Sequence, residues 1–529
     1  MPHASALLRP LAILVLSLLT VGIADCGAAA PTSASAPATW RNALIINEDN
    51  SHFYSSRSAD KMTLQGLHEW VDQYAGTAVT HLFLCPNSMR TSFRSKSRDA
   101  IWEPVDGVKP TARWPVHAER LANAGLDPYA IWIARSREKG LSPWLSMRMN
   151  DVHSVNEPES YLHSNFWRAH PELRRVPNGS VTPWVNQALN YRYPEVRAHN
   201  LALIDELLER YDPDGLELDW MRFGHHLTPG NERDEGHFLT EFMQEVKRKV
   251  DSASKQRGHP IYIAVRVPAH PDAASGLGMD AIAWAKTGLV ELIIPCPFWT
   301  TSDYDIPVEL WLERLGTTAR NVAVIPGLEY NSRAFPSSKS VANTLGSARG
   351  FAATALARGA TSLYLFNWMD SATRPVSESD YKELITVGLS APAVSGRFRR
   401  HPVTYRDTVP AGFPNGVQLP LRTSAAAQLR IHVGSLQGVE QASLILGFSP
   451  ASPAASSPTP TIAVNGKTIT GKSEALSTVS DLGGVGSALR FPVPPKLLRD
   501  GDNHITVTPA STSASDREIV WAELRLNEK

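Results

Sequence analysis

From Asn42 to about Leu389, short apolar runs and longer amphipathic stretches alternate eight times. The runs Ala43–Asn47, His81–Pro86, Pro143–Met149, Gly215–Asp219, Ile261–Val267, Glu291–Pro295, Val322–Pro326 and Ser362–Phe366 are often β-branched and end in polar residues. Buried parallel strands read this way, because both of their faces are covered. Between them lie helical patterns, among them Glu195–Arg210 with Pro194 at its first turn, Glu235–Val250 and Ser338–Arg358. Eight strand–helix repeats in this length predict an α/β fold, a (β/α)8 TIM barrel over residues 41–395. The rival is an open doubly wound sheet. It normally carries a glycine-rich phosphate turn after its first strand, and Asn47–Ser51 holds no glycine.

Past Val394 the texture changes. Residues 398–529 alternate short strand patterns (Gln428–Val433, Ala442–Phe448, Thr461–Val464, Ala488–Phe491, His504–Thr508, Ile519–Leu526) with Gly, Pro and Ser turns. That predicts a smaller all-β sandwich behind the barrel. The third connection of the barrel, Asp151 to Tyr193, is too long for a plain loop and carries Tyr161, Phe166, Trp167, Trp184, Tyr191 and Tyr193. It reads either as an aromatic platform over the catalytic face or as a small subdomain with its own core.

At the other end, Arg9 precedes an apolar run from Leu11 to Ile23, then small residues and a Pro/Ser/Ala-rich stretch to Ala38. This pattern predicts a signal peptide over residues 1–30 and a linker over 31–40, with the protein exported to the periplasm or beyond. Cys26 sits where a lipid anchor would attach, although Asp25 before it departs from the usual small residue. Only Cys85 and Cys296 follow, so no disulfide framework supports the fold. Lys+Arg and Asp+Glu both number 52. That balance argues against nucleic acid as a partner, since phosphate contacts need a basic surplus.

In a parallel barrel the strand C-termini carry function, and side chains alternate between interior and helix layer. In the fourth strand Leu216 and Leu218 face the helices, so Glu217 and Asp219 point inward, with Asp219 at the mouth. Buried acids are costly unless paired or used. By the same alternation Arg148 on the third strand and Arg266 on the fifth point inward, where they either keep those carboxylates ionised or bind an acidic substrate group. At the end of the seventh strand stands Glu329, whose phase Pro326 and Gly327 leave open. If it faces the mouth it opposes Asp219, and a carboxylate pair across a pocket is the equipment of glycoside hydrolysis. Further mouth candidates are Asn47, Glu48 and Asp49, Asn87, Asn150, Asp151 and His153, Arg222, Trp299, and Asn367 and Trp368, with Trp184 on the long excursion. A set rich in Asn, Trp and acids suits a carbohydrate cleft. No cofactor is expected, and no metal site: His225, His226 and His237 lack a third spaced ligand. The Cys85–Arg90 segment departs from sulfatase and phosphatase signatures, and no Gly-x-Ser-x-Gly elbow ends a strand.

The stretch Tyr211–Phe223, read as DG-hydrophobic-x-hydrophobic-D-x-x-R, resembles the fourth strand of the family 10-like glycosyl hydrolases, secreted bacterial barrel proteins. Tyr193-Pro194-Glu195-Val196-Arg197 and His170-Pro171-Glu172 add to the resemblance, which spans about residues 41–390. It implies a hydrolase of glycosidic bonds with Asp219 as the leading catalytic candidate; Glu217 is an acid where such strands often carry an uncharged residue. Many glycosidase barrels place an acid on strand four and a nucleophile on strand seven, matching Asp219 and Glu329. The C-terminal segment, with Val464-Asn465-Gly466-Lys467 and Asp500–His504, resembles galactose-binding-like sandwiches. Two other readings stay open: a non-catalytic glycan-binding barrel, and a lyase acting on uronic-acid polymers, suggested by the inward arginines.

Overall fold

The computed structural model describes residues 42–177, 179, 183–298, 301–370, 376–451, 459–510 and 516–528. The predicted signal peptide and linker, Cys26 and Trp299 lie outside them. No described helix is long and apolar enough to cross a membrane.

The eight apolar runs form parallel strands at Leu44–Glu48, His81–Leu84, Ser142–Arg148, Gly215–Asp219, Tyr262–Pro268, Leu292–Cys296, Ala323–Val324 with Gly327–Glu329, and Leu363–Phe366. They share one curled sheet of nine strands, because Ile325 and Pro326 break the seventh run in two. Its first part pairs with the sixth strand (Ile293 opposite Val324), and its second part pairs with the eighth (Phe366 opposite Glu329). The eighth pairs in turn with the first, Tyr364 opposite Ile45. The two ends of the sheet are therefore consecutive parts of one stretch of chain.

Side-chain alternation sorts the strands into two apolar layers. Leu216 and Leu218 join the large cluster shared with the helices, as the period-two pattern requires. Ile45, Phe83, Trp144, Ala264, Ile294, Ile325, Tyr364 and Phe366 form a separate cluster on the inner face. Trp144 stacks on Phe83 with ring centroids 4.7 Å apart, and a Cβ on Gly215 would sit 2.4 Å from its indole. Only glycine lets the fourth strand pass there.

The long helices fall near their predicted places, at Pro194–Arg210 and Gly236–Arg257. The third begins at Leu345, later than the pattern suggested, since Thr344 and Ser347 build a capping box there. The upstream residues instead form a short antiparallel pair, Asn331–Ser332 with Val341–Ala342.

The C-terminal region contains two antiparallel sheets. One is built on Ala442–Phe448 and Glu518–Leu526, the other on Ala427–His432 and Asp502–Thr508. A single apolar cluster draws on both, from Leu444 and Leu524 to Ile431 and Val507. The Asn465-Gly466 pair is a turn in which Asn465 takes a positive φ, and its amide is spent on Leu497 O and Asn503 Oδ1.

The described residues belong to one compact unit. Small residues bring the regions together: a Cβ on Gly350 in the helix Leu345–Ala357 would sit 1.8 Å from the Arg400 carbonyl oxygen of strand Arg399–Pro402. Gly350→Ala should therefore cost about 1–3 kcal/mol by overpacking. A urea midpoint unchanged from wild type would show that the helix can shift to accept a methyl group.

Candidate active site

At the C-terminal ends of the strands a cavity of about 450 Å3 opens, lined by Asp49, Asn50, His52, Ser88, Trp114, Arg148, His153, Tyr161, Arg222, Asn331, Asn367 and Met369 among others. Parallel α/β sheets place ligands here because every strand delivers a polar end residue to one rim.

Asp219 sits beside this cavity and does not line it. Its Oδ1 accepts from Arg266 Nε at 2.8 Å and its Oδ2 from Arg266 Nη2 at 3.0 Å. Oδ1 also accepts the backbone N–H groups of Met221 and Arg222, at 3.0 and 2.8 Å. The carboxylate thus shapes the turn that presents Arg222 to the cavity. Arg266 is fully buried and stacks over Phe366 at 3.6 Å, so it has no path to a substrate.

Arg148 flanks Asp219 in the sheet register, as expected, but its guanidinium bonds elsewhere. It pairs with Asp49 from the first strand and Asp151 from the third connection. Both inward arginines are thus matched by carboxylates.

Glu217, one layer below, accepts from Tyr364 Oη at 3.1 Å. Burial, reinforced by the neighbouring Asp219 and outweighing Arg266, raises its pKa. Such a group binds its proton more tightly folded than unfolded, so stability falls as pH rises from the unfolded carboxyl value through the folded one. Glu217→Gln should remove that slope. Urea midpoints of variant and wild type would then diverge toward alkaline pH, and a constant difference would refute the assignment.

Glu329 belongs to the inner face: Ile325 lies in the inner cluster, and a Cβ on Gly327 would meet Cys296 and Tyr364. The phase continues two residues on to Glu329, which is 2% exposed. Asn367 donates its amide to Glu329 Oε1 and Oε2 at 3.2 and 3.3 Å, from a backbone at φ 60°. Asparagine tolerates that left-handed region better than most residues, and strain there gathers at functional positions. Arg222 feels the charge of Glu329 on one side and stands 3.8 Å from Asp49 on another. Although burial opposes ionisation, Arg148 and Arg222 hold Asp49 well below the usual carboxylate range.

Several predicted substrate contacts turn out to be internal ties. Asn87 bonds the backbone of Arg148 through both ends of its amide. Asn150 does the same to Leu189, fastening the excursion to the third strand. Trp368 is 1% exposed and packs edge-on against Tyr330, so it serves the core instead of a sugar. In each case a polar or aromatic residue at a strand end meets a neighbouring segment before it meets the cavity.

No family model and no curated protein matches the chain. Among solved structures it is similar to α-L-fucosidase isoenzyme 2 from Paenibacillus thiaminolyticus, at 12% identity and a TM-score of 0.40 over 65% of this chain, and it spans 48% of that one. It is also similar to a glycoside hydrolase family 18 N-acetylglucosaminidase from Paenibacillus barengoltzii (10% identity, TM-score 0.34, 66% of this chain and 99% of that one). A family GH18 chitinase from Chromobacterium violaceum covers 91% of each chain at 11% identity and a TM-score of 0.34. Likenesses this loose assign no family, and the family 10-like resemblance stays a resemblance.

Among the described residues the long excursion has no apolar core of its own, and its buried side chains join the cluster of the sheet and helices. Trp167 and Tyr191 are buried in that cluster, Tyr191 edge-on to Trp220 and Phe242, while Trp184 is 38% exposed. Trp184 stacks on Phe298 at 5.7 Å and meets Phe223 edge-on at 5.4 Å, and Phe223 touches the cavity residue His153 at 4.9 Å. Tyr161 from the same excursion meets Trp114 at the cavity wall. Trp114, which follows the second strand, had no sequence signal beyond being an aromatic in a helix pattern. Asn50 and His52 line the cavity beside Asp49, and the dense polar run after the first strand is the sequence signal that points to them.

Proposed function

We propose that the parallel sheet closes into a (β/α)8 barrel, with the C-terminal sheets packed as a sandwich, and that the protein is a glycoside hydrolase. The barrel closure rests on the seventh run pairing with the sixth strand through one half and the eighth through the other. The observation that carries the activity is the setting of Glu329. A carboxylate on the inner face, which like Asp219 is 2% exposed and not itself part of the cavity lining, is bonded by Asn367 and lies beside Arg222, and these two line a polar cavity walled by Trp114 and Tyr161. In this reading Glu329 attacks the anomeric carbon or activates water against it. Arg148, Arg222, Asp49 and Asn367 hold sugar hydroxyls, and Trp184 offers an outlying stacking face. Asp219 is a positioning residue acting through Arg222 and Arg266. The signal-peptide pattern of residues 1–30 supports an activity outside the cytoplasm.

The test is release of reducing ends by the exported chain from a panel of neutral, acidic and sulfated polysaccharides and oligosaccharides. Activity on at least one supports the proposal. Binding without cleavage would make the barrel a glycan receptor, and unsaturated products absorbing in the ultraviolet would make it a lyase.

A further inference from the structure

Among the described residues ten arginines are buried, and eight of them stand within 4.0 Å of a carboxylate. The other two are Arg399 and Arg517. Arg517 lies over the Phe448 ring at 3.5 Å and donates to Ser487 Oγ. Arg399, on the strand Arg399–Pro402, is 2% exposed. Among the described residues its one hydrogen bond runs from Nη2 to the carbonyl oxygen of Ser435, at 2.9 Å. Its Nε is buried without a partner, whereas Nη1 is unbonded and still reaches open space. Asp500 attracts the guanidinium from beyond ion-pair distance, and Oδ1 of that carboxylate is spent on the Leu436 N–H at 2.9 Å. A guanidinium does not shed its charge in a protein, so a buried cation is left here that no side chain matches.

Arg399 lines a cavity of about 670 Å3. Leu356 and Ala357 from the helix Leu345–Ala357 form one apolar wall, and Pro392 and Val394 from the helix Ala391–Val394 form another. Ser395 and Gln437 add polar side chains. The walls are tied together. Gly434, at φ 68°, lets its loop press on the first helix, where a Cβ would sit 2.2 Å from the Ala353 carbonyl oxygen. Ser395 Oγ donates to the carbonyl oxygen of Gln437 at 3.2 Å. Leu356 also lines a second cavity, of about 260 Å3, with Ala43, Leu44 and Leu363, where the first and eighth strands begin. The site therefore lies toward the N-terminal end of the parallel sheet, whereas the candidate active site lies at the C-terminal end.

One unmatched cation among apolar walls selects a ligand by both charge and surface. A single guanidinium neutralises a carboxylate, but leaves a dianionic phosphate half-matched in surroundings that solvate charge poorly. A sugar would bring hydroxyl groups that Leu356, Pro392 and Val394 cannot bond. We infer that this cavity binds a small organic acid, its carboxylate on Arg399 Nη1 and its hydrocarbon body against Leu356, Pro392 and Val394. The inference stands apart from the glycosidase reading, since the two sites share no residue.

The experiment titrates the exported chain calorimetrically with sodium hexanoate, 1-hexanol and inorganic phosphate. Wild type should bind one hexanoate with a Kd of about 1 mM or tighter. Hexanol and phosphate should each bind at least about tenfold more weakly, because each supplies only half of what the site matches. Arg399→Met should weaken hexanoate by about 10- to 100-fold and leave hexanol unchanged. Its thermal midpoint should hold, since an apolar chain replaces an unmatched buried charge. Ala357→Trp, at an exposed helix position, should fill the cavity and weaken both hexanoate and hexanol. No hexanoate binding to wild type, equal hexanoate affinity in Arg399→Met, or phosphate or hexanol binding as tightly as hexanoate would overturn the inference. Should Arg399→Met fail to fold, unchanged hexanoate affinity in Ala357→Trp overturns it equally. Arg399→Met should cleave any glycoside that wild type cleaves at the same rate, so either reading can fall without the other.

Discussion

Glu329→Gln should abolish glycoside hydrolysis, with kcat falling by about 10³-fold or more on the best substrate of the panel. The amide is nearly isosteric but can neither attack an anomeric carbon nor take a proton from water. The fold should survive, because Asn367 still finds one oxygen acceptor and the lost hydrogen bond is worth only about 1 kcal/mol. Circular dichroism and a thermal midpoint close to wild type would establish that the loss is chemical. A variant retaining activity within tenfold of wild type would remove Glu329 from the mechanism. The strand ends would then have to be searched again, beginning with Asp49, the carboxylate that lines the cavity.

The largest expected effect on stability belongs to the pair beneath. Arg266→Met should destabilise the fold by about 3–5 kcal/mol, since removing one partner leaves the other charge buried and unmatched. Asp219 is 2% exposed, and the two backbone N–H groups it accepts cannot replace a bidentate guanidinium. Urea unfolding followed by tryptophan fluorescence measures the loss; less than about 1 kcal/mol would mean that Asp219 takes up a proton or finds water. The companion variant Asp219→Asn separates two accounts of that residue. A nucleophile replaced by its amide loses activity with stability intact, whereas a positioning residue loses both, because the turn bearing Arg222 loosens as the ion pair breaks.

The contrast between Asp219 and Glu329 shows what the linear pattern can and cannot convey. Both were candidates on the same ground, an acid at a strand end. Period-two alternation correctly sent Glu217 and Asp219 inward and Leu216 and Leu218 toward the helices, because that rule depends on one strand's own backbone. It could not say that Arg266 lies opposite Asp219 while Arg148 turns to Asp49 and Asp151. Pairing of that kind is decided by strands brought together across the sheet, from positions some 50 to 100 residues apart.

The eight parallel strands, the excursion after the third and the all-β character of the C-terminal region were written in the order of apolar and polar residues, since each follows from local periodicity. Glu329's phase needed the tertiary structure, because Ile325 and Pro326 interrupt the strand in which alternation would be counted. So did the demotion of Asn87, Asn150 and Trp368 from substrate contacts to internal ties. A polar or aromatic side chain at a strand end has the same chemistry whether its partner is a sugar or the backbone of the next loop. Only the packed fold determines which of the two it meets first.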